Sequence, residues 1–68
     1  MKKLSRRESE IIKLLCLGYE YSEIAEELSI SKKTIPTYVE RILYKMCANN
    51  RVAAVANYIK QYKNMIFL

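Results

Sequence analysis

The chain has 68 residues, with 12 Lys and Arg against 7 acidic residues for a net charge of +5, two cysteines and no histidine. A chain this short forms one small domain whose folding buries only about 60% of the surface exposed by the unfolded chain, so its core is thin and needs support from a disulfide, a metal or a partner subunit. Cys16 and Cys47 stand alone without CxxC spacing, which leaves zinc short of ligands and predicts free, partly buried thiols; a second subunit is the support that remains.

The first element is announced by "LSRRESEIIKLLCLG". Ser5 followed three residues later by Glu8 is a capping box. Ile11, Leu14 and Leu15 fall on one helical stripe, and Gly18 stands where a left-handed residue stops a helix, which predicts a helix over 6–17. "EYSEIAEEL" places Ile24, Ala25 and Leu28 at helical spacing and predicts a short second helix over 21–28, with Glu20 a poor cap and Ser22 a later one. After the turn "SIS", Ser31 can cap a third helix over 32–46, in which Ile35, Val39, Ile42, Leu43 and Met46 make one apolar face. Lys33, Thr37, Glu40, Arg41 and Tyr44 lie opposite, with Pro36 at the edge. "CANNR" interrupts the pattern, and Asn50 caps a fourth helix over 51–63. Val55, Tyr58, Ile59 and Tyr62 form its inward stripe. Val52, Ala53 and Ala56 fall outside that stripe, where small apolar residues suit a dimer contact; their value as plain helix formers explains them equally well.

Charge is distributed unevenly along these elements. Residues 20–27 hold four glutamates and no cation, whereas from Leu28 onward seven Lys and Arg face one Glu. A basic half of this kind suits a polyanion, nucleic acid ahead of a membrane surface, although a solvated basic face explains the charge alone as well. The charged N-terminal stretch has no apolar segment behind it, and no run approaches the ~18 apolar residues of a membrane span. A soluble, cytoplasmic protein without a membrane contact is therefore expected. Two short helices joined by a tight turn, the second longer and basic, describe a helix-turn-helix: the first braces the second, which enters the major groove and presents its N-terminal residues to base edges.

The run "LSRRESEIIKLLCLGYEYSEIAEELSISKKTIPTYVERILYKM" followed by "NRVAAV" resembles the LuxR-type, also called GerE-type, DNA-binding domain of bacterial transcription regulators. The resemblance covers residues 4 to 59. Its markers are Leu4, Arg7, Glu8, Leu15 and Gly18, then "EIAEELSIS" with Thr34 and Ile35, then Lys45 and Met46, and last Arg51, Ala54 and Val55. It implies an all-α, four-helix domain that dimerises through the fourth helix and binds an inverted repeat in double-stranded DNA. With no receiver or ligand-binding region ahead of it, the chain is similar to the stand-alone members of the family.

The base-reading positions of that family correspond to Pro36, Thr37 and Glu40 in this sequence, where a basic residue is frequent at the first and third. Together with Lys33 they form the expected base-reading set. Thr37 offers a hydroxyl or a methyl, and Glu40 an acceptor for a cytosine amino group. Phosphate contacts are expected from Lys32, Lys33, Thr34, Arg41 and Lys45, and from Tyr21 and Ser22 on the other side. Pro36 falls early in the reading helix, where it deletes one backbone bond and biases Ile35 away from helical angles. This predicts a kinked or late-starting helix that begins at Pro36, with residues 31–34 as a separate turn.

No enzyme is expected, since the chain lacks histidine, aspartate, a glycine-rich phosphate loop and any nucleophile beside a base. No cofactor or metal is expected either. One alternative belongs to another class: pairing through the fourth helix with a longer LuxR-type protein, which the mixed dimer keeps off DNA. Pro36, Glu40 and the acidic second helix favour this alternative, whereas Lys32, Lys33, Thr34 and Lys45 favour direct binding.

Overall fold

The computed structural model describes the backbone of residues 2–66 and the side chains of residues 2–61. The described residues form four α-helices: α1 (Arg6–Cys16), α2 (Tyr21–Leu28), α3 (Ile35–Met46) and α4 (Arg51–Ile66), with a 3₁₀ turn at Lys32–Thr34 ahead of α3. No strand occurs among the described residues, so the expected all-α, four-helix class is the observed one.

Local chemistry starts and stops each helix. At α1, Ser5 Oγ accepts the Glu8 backbone N–H at 3.2 Å, and Glu8 Oε1 accepts the Ser5 N–H at 2.8 Å, which closes the expected capping box. Gly18, at φ +89°, ends α1 in a Schellman turn: its N–H donates to Leu15 O and that of Tyr19 to Leu14 O. A Cβ built on Gly18 would meet nothing within 4 Å, so the glycine serves the backbone angle and not close packing. α2 is better capped than Glu20 suggested, because Glu23 reaches back and accepts the Glu20 N–H at 2.8 Å. Asn50 Oδ1 accepts the Ala53 N–H at 2.8 Å, as expected for the cap of α4.

The ends of α2 and α3 repeat the Schellman turn without glycine. Ser29 and Cys47 take left-handed angles, φ 56° and 55°. The N–H of Ile30 donates to Ala25 O, and that of Ala48 to Leu43 O. Cys47 is exposed there, not partly buried as expected, whereas Cys16 is partly buried and its thiol pKa is raised by burial. Both thiols are free.

α3 forms the central strut, packed against α1, α2 and α4. Ile11 and Ile12 of α1, Ile24 of α2, and Ile35 and Ile42 of α3 are fully buried, joined by Ala25, Val39, Met46, Ala54 and Tyr58. Ile12 and Ala54 were absent from the predicted stripes. Within the predicted inward face of α4, Tyr58 is buried and Val55 and Ile59 are half-buried; Tyr62 and the final "MIFL" lie outside the described side chains.

Candidate nucleic-acid interface

The segment that leads into α3 is built in two pieces. Ser31 Oγ accepts the Lys33 N–H at 3.3 Å and Ser31 O accepts the Thr34 N–H at 3.0 Å, which folds Lys32–Thr34 into a 3₁₀ turn. α3 proper begins at Ile35, so a continuous helix over 32–46 is not formed. The expected break is present, with one correction: the helix starts one residue before Pro36, and Ile35 takes helical angles (φ −59°, ψ −47°) instead of extended ones. Proline in second place costs little. The first N–H groups of a helix have no intrahelical acceptor, so the missing donor leaves no bond unmade.

This start exposes a continuous stripe. Lys32, Lys33, Pro36, Thr37, Glu40, Arg41 and Tyr44 are all exposed, while Ile35, Val39, Ile42 and Met46 hold the opposite face in the core. Thr34 is half-buried. The Arg41 guanidinium lies 5.6 Å from the centroid of the Tyr38 ring, which steadies a long cation beside Glu40 and Thr37. Among the described residues, no cation is within ion-pair distance of Glu40.

Lys45, expected on phosphate, has a partner inside the protein. Its Nζ donates to Glu8 Oε1 at 2.8 Å, and Glu8 is only 3% exposed. Burial raises the Glu8 pKa, but the Lys45 ammonium and the Ser5 N–H outweigh it, and the carboxyl ends below its usual 4.5. The pair ties the start of α1 to the end of α3. Its two members are 37 residues apart in sequence, beyond the reach of helical spacing arguments.

Tyr21 and Ser22, the two residues expected to reach the backbone from the other side, share an open groove with Lys32 of the front set. Glu20 also lines it, and the N-terminal turn of α4 contributes Arg51 and Val52. The Arg51 guanidinium lies 5.1 Å from the centroid of the Tyr21 ring. Arg51 was not on the expected contact list. A signal was nevertheless available: a cation at the first position of a helix opposes the helix dipole, which favours anions there.

Residues 2–57, most of the chain, match the family described as "Bacterial regulatory proteins, luxR family". The chain belongs to this family. The LuxR-family chain is 46% identical over 57 residues to the transcriptional regulatory protein DegU of Brevibacillus brevis, an alignment covering 84% of this chain and 24% of DegU. It is 40% identical over 52 residues to the transcriptional regulatory protein DesR of Bacillus subtilis strain 168, covering 76% and 26%. To the response regulator protein VraR of Staphylococcus aureus strain Mu3 it is 42% identical over 52 residues, covering 76% and 25%. The chain thus spans about a quarter of the length of these relatives. As a LuxR-type domain it is a DNA-binding unit of bacterial transcription regulation, not an enzyme. No helix among the described residues is long and apolar enough to cross a membrane.

Proposed function

We propose that this chain is a cytoplasmic, sequence-specific regulator that binds an inverted repeat as a homodimer joined through α4, with one α3 in each major-groove half-site. The observation that carries this reading is the exposed stripe on α3, seated from behind by four core residues and fronted by Lys32 and Lys33. Pro36, Thr37 and Glu40 read bases in this reading, Lys33 serves both a base edge and the adjoining phosphate, and Lys32, Thr34, Arg41, Tyr21 and Ser22 hold the backbone. Lys45 leaves the backbone set for a structural role. Arg51 joins it through the groove that it shares with Tyr21, Ser22 and Lys32. For the dimer contact, Val52 is 73% exposed, with Ala56 exposed and Ala53 half-buried beside it. A valine left this open on a helix with small neighbours suits a second copy of the same helix.

A second reading draws on Glu40. A carboxylate with no cation at ion-pair distance among the described residues, in the middle of the stripe, repels phosphate, which suits a chain that pairs through α4 with a longer LuxR-type protein and keeps it off DNA. Selection of sheared genomic fragments by the purified protein separates the two. Enrichment of a two-fold symmetric motif supports the homodimeric regulator; no enrichment by a folded protein contradicts it and favours the mixed dimer.

A further inference from the structure

Lys2 reaches the far end of α3 through three contacts. Its backbone N–H donates to Lys45 O at 3.1 Å, which satisfies a last-turn carbonyl with no acceptor role inside the helix. Its ammonium lies 4.9 Å from the centroid of the Tyr44 ring and donates to Tyr44 Oη at 3.4 Å. Tyr44 is 70% exposed and follows Glu40 and Arg41 by one turn, so it continues the exposed stripe of α3. A lysine that merely complemented the helix dipole would do so beside the terminal carbonyls alone. This one is drawn onto the outward flank by the ring.

We propose that Lys2 and Tyr44 form a second phosphate-binding point at the C-terminal end of α3, opposite the one at Lys32 and Lys33. The proposal rests on the reading of α3 as the groove helix. At 1.5 Å per residue, Lys33 and Tyr44 are separated by roughly 16 Å along the segment, a little more than the ~12 Å width of the major groove. Cations at the two ends therefore meet the two phosphate backbones that border the groove, and the stripe between them lies over the bases. The hydroxyl chemistry fits as well. Tyr44 Oη accepts from the ammonium, which leaves its own O–H to donate to a phosphate oxygen.

The test is a salt titration of binding to a short labelled duplex, taken from the genomic fragments that the wild-type protein retains, with Lys2→Gln and Tyr44→Phe alongside. Lys2→Gln keeps the backbone bond to Lys45, so its thermal midpoint stays at the wild-type value. Its binding weakens about three- to tenfold on every duplex tried, and the slope of log affinity against log salt falls by about 0.9 for each protomer bound. Tyr44→Phe keeps the ring and the slope and binds about two- to threefold more weakly, as expected for one lost hydrogen bond. A wild-type slope and affinity in Lys2→Gln overturn the proposal. So does a lower thermal midpoint with an unchanged slope, which makes Lys2 a helix cap only. If the wild-type protein shows no salt-dependent binding at all, the groove-helix reading fails first and the clamp fails with it.

Discussion

Glu8 Oε1 receives the Ser5 backbone N–H and the Lys45 ammonium, both at 2.8 Å, on a side chain almost closed to water. Removing the ammonium leaves that charge with one donor, so Lys45→Met costs about 2 kcal/mol of stability in urea unfolding. Its slope of DNA affinity against salt stays at the wild-type value if Lys45 is structural; a lower slope would return it to the phosphate contacts. The pH response follows from the same pair. Because the folded Glu8 pKa is held below 4.5, the stabilisation is present above the unfolded value and is lost as pH falls through the folded value. Urea midpoints of the wild-type protein therefore decline in acid more steeply than those of Glu8→Gln. The capping half of this arrangement was legible in "SRRE". The ion pair was not, because it depends on how α1 crosses α3, and a glutamate in a capping box gives no further sign of burial.

Backbone angles decide how the elements end. Gly18 could be read as a helix stop from its residue type alone, whereas Ser29 and Cys47 take the same left-handed angles with a Cβ that disfavours them. They were read only as general breaks, because neither serine nor cysteine advertises this conformation. Ser29→Gly and Cys47→Gly each relieve that strain, against a more flexible unfolded chain, and raise stability by about 0.5–1 kcal/mol in thermal or urea unfolding. Pro36 gives the opposite kind of test. In second place on α3 it removes a donor that lacks an intrahelical acceptor, so Pro36→Ala changes stability by less than about 1 kcal/mol; a gain near 3 kcal/mol would place it in a helix interior. The break ahead of α3 was legible from proline. The starting residue was not, because Ile35 follows its burial in the core and not the local bias imposed by the proline.

At the scale of the molecule, a core that includes ten apolar side chains among the described residues holds α3 with its basic stripe facing outward. The periodicity of Ile35, Val39, Ile42 and Met46 made that orientation readable, since burying one face of a helix fixes the other. It could not place Arg51 beside Tyr21 or Lys2 beside Tyr44, which are consequences of packing between distant segments. The thin core and the exposed Val52 are the observations that favour the proposed two-fold assembly, in which each protomer would bring its own set of cations to the duplex. The most direct test of groove binding is the salt dependence of affinity for the enriched genomic duplex, measured for the wild-type protein and for Lys32→Gln with Lys33→Gln. Log affinity falling linearly with log salt, with a slope reduced by about 1.8 per protomer in the double variant, is the expected result. A slope that the double variant leaves unchanged would contradict the account, because the cations at the front of α3 would then not be on DNA.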